Sequence, residues 1–443
     1  MDPRLLAYAE RQAPRYTSYP TAPHFTPAVG AGEYRHWLTE LPRDATLSLY
    51  LHVPYCKQLC WYCGCNTYAA RRDEPVADYV ETVLREIELV AAAAGSKRTI
   101  SIHWGGGTPN ILDPEQFLRI FGALKQHFDL SAVSHHAIEL DPRHVDAAKA
   151  RAYAEAGVNR VSLGVQDLNA RVQNAIGRVQ PLEVVQNAVA VLREAGVAQI
   201  SMDLMYGLPH QTTEHLRHTI WLANAMRPDR IALFGYAHVP WFKKRQRLIP
   251  EGALPDAAER FRQAESARTE LESLGYVGIG LDHFALPGDE MALAMQDGKL
   301  RRSFQGYVTE EAEVLVGIGP SAISTLPQGY AQNTAEPGAW GRAINAGELA
   351  TARGHCMHDD DATRRQLIER LMCDFEADLA PLGGAGACSA ELSALAPMFG
   401  DGLVWLNNDR LTINPAATSL CRLVAMAFDT YAQRGVARHS RAV

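Results

Sequence analysis

The sequence has no apolar run long enough to cross a membrane, and it has no large excess of charge of either sign. Its 443 residues carry a formal net charge of −7, with 21% charged and 47% hydrophobic residues, which is typical of an ordinary globular protein. A negative net charge argues against nonspecific nucleic-acid binding, because such binding needs a positive surface. We therefore expect neither a membrane span nor a nucleic-acid partner.

The start of the chain also lacks the apolar stretch of a secretory signal peptide. It reads MDPRLLAYAERQAPRYTSYPT, which is polar and mixed in charge. We therefore expect a cytoplasmic protein, whose thiols stay reduced.

Short β-rich runs alternate six times with longer amphipathic runs between Thr46 and about Leu274. This alternation predicts parallel strands with helices outside them, and six units form a partial barrel instead of the closed eight. The predicted strands are 46–53, 99–104, 136–141, 159–164, 199–204 and 230–235. The predicted helices begin near Val76, Pro114, Val145, Leu182, Thr213 and Pro255, with Asp113 and Thr212 as caps.

Polar side chains recur at every second position of several predicted strands. A parallel strand that is buried on both faces reads instead as a continuous apolar run. One face of the sheet is therefore predicted to be polar, which suits an open barrel around a ligand cavity. The alternating residues are Ser48, Tyr50, His52, Ser101, His103, Glu139, Asp141, Ser201 and Asp203.

The predicted fold class is α/β, a partial (β/α)6 TIM-type barrel with an N-terminal arm and a small, mostly helical C-terminal domain. We predict four parts: an arm that covers the active site (1–40), a barrel core (41–275), a barrel extension (276–355) and a helical domain (356–443). The extension contains predicted strands within 276–285 and 313–324. The last domain ends in a helix predicted around 420–433.

Four of the eight cysteines fall within ten residues, at Cys56, Cys60, Cys63 and Cys65. The spacing C-x3-C-x2-C can wrap three thiolates around one face of a cubane iron–sulfur cluster. Three protein ligands leave one iron open to a substrate or cofactor. Spacing alone shows only that three of these four cysteines bind. Zinc is the alternative, but structural zinc sites usually use two ligand pairs separated by a dozen or more residues.

The loops after the strands carry the remaining candidates, because reacting groups in such barrels follow the carboxyl ends of the strands. The glycine run 105–107 lets the backbone approach a ligand closely, although such a run alone is more often a turn. Glu139, Gln166 and Asp203 could each be a satisfied polar residue of the barrel, but their shared rim favours contacts to a ribose and an amino acid. We assign no side chain as a catalytic acid or base. Structural hydrogen bonds are expected for His52, His103, His238 and His283.

With these motifs the chain closely resembles the oxygen-independent coproporphyrinogen III oxidases, or coproporphyrinogen dehydrogenases, of the radical S-adenosylmethionine (SAM) superfamily. The cysteine loop marks only the superfamily, whereas the other motifs are narrower. They are RYTSYPT (15–21), HWGGGTP (103–109), GVQD (164–167), YAH (236–238), DHFA (282–285), FQGY (304–307) and FDTY (428–431).

The resemblance implies that residues 41–275 form the radical SAM core and that Cys56, Cys60 and Cys63, but not Cys65, hold a [4Fe–4S] cluster. It also implies two SAM molecules at adjacent sites. The positions that match contacts to the first are Tyr50, Gly106, Glu139 and Ile323, and those that match contacts to the second are Tyr62, Gly107, Thr108, Gln166, Arg178, Asp203 and Ala237.

The implied reaction converts two propionates of coproporphyrinogen III to vinyl groups and gives protoporphyrinogen IX, with electrons from a donor such as flavodoxin or ferredoxin. A monomer is expected. The basic run 243–247 is a candidate for binding the substrate carboxylates, or else a solvated charged surface. We expect the segment 15–21 to cover the barrel mouth, and the alternative is a loosely packed terminus.

Two other functions remain open from the sequence. One is a haem-binding chaperone, but the His-Asn-x-x-Tyr-Trp pattern of those relatives is missing here, and they lack the arm motif that this chain carries. The other is a radical SAM enzyme with a different substrate, such as a methyltransferase, because a fold does not determine a reaction.

Overall fold

The computed structural model describes residues 3–432 and 441–442. The chain folds into two compact units, each built from separate stretches. The first unit comprises Met1–His24, Leu204–Thr309 and Met357–Val443, and the second comprises Phe25–Asp203 and Glu310–Cys356. The four-part division made from the sequence has different bounds and stays a prediction.

The described strands and helices alternate along most of the chain. The strands are β1 (Thr46–Val53), β2 (Tyr55–Cys56), β3 (Tyr68–Ala69), β4 (Arg98–Gly106), β5 (His135–Leu140), β6 (Arg160–Gln166), β7 (Gln199–Tyr206), β8 (Arg230–Gly235), β9 (Val277–Ile279), β10 (His283–Ala285), β11 (Arg301–Ser303), β12 (Gly306–Val308), β13 (Val314–Ile318), β14 (Ile323–Leu326), β15 (Gly329–Asn333), β16 (Thr351–Cys356), β17 (Glu376–Asp378), β18 (Val404–Asn407) and β19 (Arg410–Ile413). The helices are α1 (Pro3–Ala9), α2 (Ala31–Thr39), α3 (Glu74–Ala94), α4 (Pro114–His127), α5 (Ala147–Glu155), α6 (Ala170–Ala175), α7 (Leu182–Glu194), α8 (Thr213–Ala225), α9 (Ala257–Ser273), α10 (Glu290–Gln296), α11 (Pro337–Asn345), α12 (Asp361–Cys373), α13 (Gly384–Ala387), α14 (Ser389–Ala394), α15 (Ala396–Gly400) and α16 (Cys421–Ala427).

The second unit is built on one sheet, in the order β16-β15-β14-β13-β1-β4-β5-β6-β7. Strands β13, β1, β4, β5 and β6 pair in parallel, whereas β14, β15 and β16 continue the sheet from β13 in antiparallel fashion. Helices α3, α4, α5 and α7 connect the parallel strands and contact one another in that order. The carboxyl ends of the parallel strands therefore meet at one edge, where the cysteine loop and the glycine run begin.

All six strands predicted from the sequence are present in the structure, and the predicted helices begin within two residues of the expected positions. Both predicted caps are confirmed as well. The Asp113 carboxylate accepts a hydrogen bond from the backbone N–H of Gln116 at 2.8 Å, and the Thr212 hydroxyl accepts one from His215 at 3.2 Å. These bonds satisfy amides that have no partner inside the helix.

The first unit combines small antiparallel sheets with helices. Strand β10 pairs with both β8 and β9, β11 pairs with β12, and β17, β19 and β18 form a three-stranded sheet. The helix predicted around 420–433 is shorter than expected, since α16 covers only Cys421–Ala427. The Asp429 carboxylate accepts hydrogen bonds from the backbone of Tyr431 and Ala432. It thereby stabilises a turn in place of further helix, and Gln433 lies outside the described residues.

The N-terminal arm is tightly packed within the first unit. Tyr16 and Tyr19 are 3% and 1% exposed, and the Tyr16 hydroxyl donates to the Asp429 carboxylate at 2.9 Å. The guanidinium of Arg422, which is also buried, donates to the carbonyl of Pro14 at 2.8 Å. These contacts rule out the alternative of a loosely packed terminus for this part of the arm.

A buried carboxylate of α3 connects several segments of the second unit through hydrogen bonds. Glu86 of α3 is 1% exposed and accepts hydrogen bonds from the Gly319 backbone at 2.7 Å, from Asn333 at 2.6 Å and from Trp340 at 3.0 Å. Burial raises the pKa of Glu86 to about 7, although these three donors oppose the shift. The folded state therefore binds this proton more tightly than the unfolded state, where the pKa is near 4.5.

We expect the stability advantage of wild type over Glu86→Gln to fall as pH rises from 4.5 to 7, because only the wild type loses a tightly held proton in that window. Each unit of difference between the folded-state and unfolded-state pKa of Glu86 changes the free energy of unfolding by about 1.4 kcal/mol. Thermal unfolding midpoints of both proteins, measured across pH 4.5–8, test this. The control is Glu88→Gln, an exposed position on the same helix, whose difference from wild type should stay constant. A pH-independent difference for Glu86→Gln would show that its pKa is not raised.

Candidate metal centre and cofactor site

The cysteine loop, residues 54–65, directly follows β1 and is closed at its base. Its first residues form β2, which pairs in parallel with β3. The Tyr68 amide donates to the Pro54 carbonyl at 2.8 Å, and the Ala70 amide donates to the Cys56 carbonyl at 3.0 Å. These bonds hold the two ends of the loop together, so its thiols are confined to one short loop at the end of β1.

Two of the cysteine sulfurs lie within hydrogen-bonding distance of a polar group. The Cys56 Sγ lies 3.2 Å from the Thr67 hydroxyl, and the Cys63 Sγ accepts a bond from the Cys65 backbone amide at 3.4 Å. Cys56 and Cys63 are half-buried, whereas Cys65 is exposed. Donors to sulfur stabilise the thiolate form that binds a metal. This arrangement supports Cys56 and Cys63 as ligands and makes Cys65 a backbone donor to one of them.

Cys60 is buried beside two arginines. Its Sγ lies 3.4 Å from the Arg178 guanidinium and 3.9 Å from that of Arg143. Asp141 accepts from both, at 3.2 Å and 2.6 Å. Burial opposes ionisation of Asp141, but the two guanidiniums outweigh it and lower its pKa to about 2. One carboxylate accepts from two guanidiniums, so net positive charge remains next to Cys60.

An iron–sulfur cluster and a single zinc ion require different spacings between the three thiols. Within residues 3–432 and 441–442, no group of three or more His, Cys, Asp or Glu side chains is placed to hold one metal ion. Thiolates around a cubane each bind a different iron and therefore stand farther apart than ligands of one zinc ion. Burial raises the pKa of the Cys56 thiol to about 12, so binding must release its proton. Zinc binding would require the same deprotonation, so these thiols alone do not decide between a cluster and zinc.

The glycine run packs directly against the cysteine loop. The Gly107 amide donates to the Val53 carbonyl at 2.7 Å. A Cβ at Gly107 would lie 2.6 Å from the Tyr55 carbonyl oxygen, and a Cβ at Gly106, whose φ is +109°, would lie 2.7 Å from the His52 ring. A side chain at Gly107 would force the backbone to move, and one at Gly106 would displace the His52 ring and strain a backbone conformation that favours glycine. The run therefore packs the two loops against each other, and its contact with a ligand through backbone groups stays a prediction.

Aromatic and acidic side chains line the neighbouring strands β1, β4 and β5. The Tyr50 ring stacks on His103 with centroids 5.8 Å apart, and its hydroxyl lies 3.2 Å from His52 Nδ1. The His103 ring nitrogen Nε2 lies 3.1 Å from Glu139 Oε1, while the Glu139 side chain remains 42% exposed. This carboxylate is thus held in place but keeps acceptor capacity for a ligand hydroxyl or amine. The two histidines have the structural hydrogen bonds that we expected.

The other predicted cofactor contacts of the second unit lie at strand ends. Gln166 ends β6 with φ +67°, a conformation that non-glycine residues adopt mainly where surroundings enforce it. Asp203 accepts a hydrogen bond from Ser162 at 3.0 Å. Ile323 begins β14 opposite Gly317, the residue of β13 that pairs with Tyr50.

The remaining predicted cofactor contacts, Thr108, Tyr62 and Ala237, belong to different segments of the chain. Thr108 is buried, and its hydroxyl donates to the Asn110 side chain at 2.7 Å. Tyr62 is half-buried in the cysteine loop. Ala237 belongs to the first unit, where it follows β8.

Sequence reasoning missed Arg143 as a neighbour of Cys60. The segment Asp141-Pro142-Arg143 directly follows β5, and the Asp141 carboxylate accepts from both the Arg143 backbone and its side chain. An arginine three residues after the end of β5 was the available signal. The sequence could not show that Arg143 lies beside Cys60, because 83 positions separate the two residues in the chain.

Comparison with known proteins places these features in a family. The model of the Radical SAM superfamily matches residues 50–223, which include the cysteine loop and the glycine run. No helix in the described ranges is both long and apolar enough to span a membrane.

The chain is similar over nearly its whole length to proteins named oxygen-independent coproporphyrinogen III oxidase. The Bradyrhizobium diazoefficiens protein is 48% identical, over 99% of both chains, and the Paracoccus denitrificans protein is 44% identical, over 99% of this chain and 98% of its own. The Escherichia coli protein is 36% identical, over 94% of this chain and 93% of its own.

A solved structure agrees with these sequence matches. The coproporphyrinogen III oxidase of Escherichia coli, described as a radical SAM enzyme, superposes with a TM-score of 0.90 at 34% identity and covers 95% of this chain and 100% of its own. This match confirms the predicted fold class, a partial (β/α)6 barrel of the radical SAM type. Identity of this extent favours coproporphyrinogen oxidation over a haem chaperone or another radical SAM reaction. The chain belongs to the oxygen-independent coproporphyrinogen III oxidases of the radical SAM superfamily.

Proposed function

We propose that this chain oxidatively decarboxylates two propionates of coproporphyrinogen III to vinyl groups without oxygen, giving protoporphyrinogen IX in haem biosynthesis. The observation that carries the proposal is the near full-length identity to relatives of that name. The closed cysteine loop, packed against a glycine run that cannot carry side chains, supports it. Each propionate loses one hydrogen atom to the radical, its carboxyl leaves as carbon dioxide, one electron passes to an acceptor, and the two remaining carbons become the vinyl group.

Membership of this family makes the chain an oxidoreductase with a [4Fe–4S] cluster and SAM as cofactors. When bound, the reduced cluster supplies the electron that cleaves SAM, and SAM supplies the radical that removes hydrogen from a propionate. Cys56, Cys60 and Cys63 would hold the cluster. We also propose that a second SAM molecule binds adjacent to the first, so that the two propionates react in turn.

The protein's own side chains position and shield these groups. Tyr50, Gly106, Glu139 and Ile323 would contact the first SAM, with the open Glu139 carboxylate accepting from a ribose hydroxyl or the amino group. The second SAM would be contacted by Tyr62, Gly107, Thr108, Gln166, Arg178, Asp203 and Ala237. The buried Nε of Arg178 has no hydrogen-bond partner in the described ranges, which leaves this donor available to such a ligand.

Partners follow from the same proposal. An electron donor such as flavodoxin or ferredoxin would reduce the cluster, because the reductive cleavage of SAM consumes an electron. We place the enzyme in the cytoplasm as a monomer that acts on coproporphyrinogen III and binds no nucleic acid.

The N-terminal arm is proposed to cover the site. A carbon radical attacks most C–H bonds that it reaches, so water and stray side chains must be excluded. Deleting residues 1–21 should therefore yield more 5′-deoxyadenosine per vinyl group than wild type does, as unshielded radicals are consumed elsewhere. The ratio of the two products, by liquid chromatography, measures this coupling. An unchanged ratio in a variant that still folds, as judged by circular dichroism, would show that the arm is not a cover.

Anaerobic incubation with reductant, SAM and coproporphyrinogen III tests the proposed reaction. The reconstituted wild type should form protoporphyrinogen IX, carbon dioxide and 5′-deoxyadenosine, whereas Cys60→Ala should form none of them. The control Cys356→Ala changes a cysteine of β16, away from the cysteine loop in sequence, and should retain turnover. Formation of 5′-deoxyadenosine without vinyl product would instead indicate a radical SAM enzyme with another substrate.

A further inference from the structure

The first unit contains a cavity whose lining is dominated by arginine. Every lining residue belongs to this unit. Six guanidiniums face the cavity, and the carboxylates of Glu265 and Asp282 are its only acidic lining groups within the described residues. The six are Arg15, Arg260, Arg268, Arg302, Arg422 and Arg441. They come from the N-terminal arm, helix α9, strand β11 and the C-terminal segment, so only the folded chain brings them together.

The guanidiniums that line this arginine cavity make hydrogen bonds mainly to backbone carbonyls. Arg260 donates to the Tyr236 carbonyl at 2.9 Å, and Arg302 donates to the Tyr16 carbonyl at 3.2 Å. Carbonyls orient a guanidinium but do not neutralise it. The Nε of Arg260 and the Nη1 of Arg302 are buried with no hydrogen-bond partner in the part of the chain that the structure describes. Buried donors of a charged group are costly to leave unpaired, which points to an anionic ligand.

The charges also act on one another. Burial lowers the pKa of Arg260, and Arg441 and Arg15 lower it further. Burial lowers the pKa of Arg422 to about 10, again with a contribution from Arg15. Of the two acidic groups, Asp282 lies 2.7 Å from the His283 ring and also interacts electrostatically with Arg302 and Arg15, but two carboxylates cannot balance six guanidiniums. Such mutual repulsion is relieved by an anion with more than one negative group.

The remaining walls are apolar. Leu233, Phe234, Leu281 and Phe284 line the same cavity, together with the ring of Tyr206. Free phosphate would make no use of these walls, whereas a large apolar ring with several acidic side arms would contact both kinds of surface. The basic run 243–247, the candidate suggested by the sequence, contributes no residue to the cavity.

We propose that the arginine cavity binds carboxylates of the tetrapyrrole substrate, an assignment that rests on the proposed function. Arg260, Arg268 and Arg302 bind propionate carboxylates through paired N–H donors, the geometry that suits guanidinium and carboxylate. The apolar walls contact the pyrrole ring edges. The cavity thus selects a macrocycle with acidic arms and discriminates against esters and against uncharged rings.

Fluorescence titration of the full-length, cluster-loaded protein with coproporphyrin III, the stable oxidised tetracarboxylate, tests this. Arg260→Gln and Arg268→Gln should each raise the Kd about tenfold, the scale of one charge-assisted hydrogen bond. The tetramethyl ester of coproporphyrin III should bind wild type at least about tenfold more weakly. The matched control is Arg262→Gln, an exposed residue of the same helix that pairs with Glu259. It should bind as wild type does.

The outcomes separate this assignment from the proposed reaction. Equal affinity for the acid and its ester, or wild-type affinity in both cavity variants, would overturn the cavity assignment even if wild type still makes protoporphyrinogen IX. Conversely, a wild type that binds coproporphyrin III through these arginines but forms no vinyl product would overturn the reaction alone. Arg268 makes no hydrogen bond within the described residues, so its variant should fold, which thermal unfolding verifies.

Discussion

Cys56→Ala, Cys60→Ala and Cys63→Ala are each expected to abolish the iron–sulfur cluster and all SAM cleavage. Two remaining thiolates cannot hold a cubane that needs three protein ligands to leave a single open iron. Of the three sulfurs, that of Cys60 is the buried one and lies beside the Arg178 guanidinium. Iron and sulfide analysis of anaerobically reconstituted protein, with electron paramagnetic resonance of the reduced form, measures the loss.

Two other cysteine variants serve as controls for that result. Cys65→Ala should retain the cluster, since this residue is exposed and the variant keeps the backbone amide that donates to Cys63 Sγ. Cys356→Ala, in β16, should retain both cluster and SAM cleavage. If Cys65→Ala lost the cluster while Cys63→Ala kept it, the ligand set proposed here would be wrong by one residue.

Gly107→Ala is expected to weaken SAM binding roughly hundredfold, a loss of about 2.7 kcal/mol. The added Cβ would lie 2.5 Å from the Thr67 hydroxyl and 2.6 Å from the Tyr55 carbonyl oxygen. Since one of these contacts is to backbone, the glycine run must move away from the cysteine loop. Equilibrium dialysis with labelled SAM on cluster-loaded protein measures the affinity directly.

The matched control for this substitution is Gly122→Ala in helix α4, where an added Cβ meets no atom within 4 Å. It should leave SAM affinity unchanged and stabilise the helix slightly, because alanine is the better helix former. Iron content of Gly107→Ala should stay near that of wild type. A variant with normal SAM affinity would show that the glycine run is only a turn, the alternative that its sequence alone left open.

Much of the second unit could be predicted from periodicity. The strand 46–53 was recognisable because it is bounded by turn residues and rich in β-branched and aliphatic side chains, and β1 has these bounds. Asp113 and Thr212 marked helix starts because a short polar acceptor before an amphipathic run is a capping signal. Local signals of this kind sit within a few residues of the element that they specify.

Long-range contacts could not be predicted. Both Arg15 and Arg441 line the arginine cavity. No local sequence pattern predicts that residues from opposite ends of the chain lie close together. The basic run 243–247 was the visible charge cluster in the sequence, but Lys244, Arg247 and their neighbour Phe242 are exposed. The end of α16 was misplaced because the Asp429 carboxylate bonds to the backbone ahead of it, a choice that helical propensity does not report.

The cluster ligands, too, could not be chosen among the four clustered cysteines from the sequence spacing alone. Spacing allowed any three of them, and only the resemblance selected Cys56, Cys60 and Cys63. The structure adds physical support, since Cys60 is buried beside positive charge and Cys65 is exposed. Burial and neighbouring charge are properties of the folded chain and are absent from a cysteine spacing.

The most direct test of the account is a Mössbauer spectrum of protein reconstituted with iron-57, recorded with and without SAM. Three cysteine ligands leave one iron of the [4Fe–4S] cluster without a protein ligand. We expect SAM to change the isomer shift of one iron in four and to leave the other three unchanged. Four irons that are equivalent and indifferent to SAM would contradict the account, because they would require a fourth protein ligand and no open position.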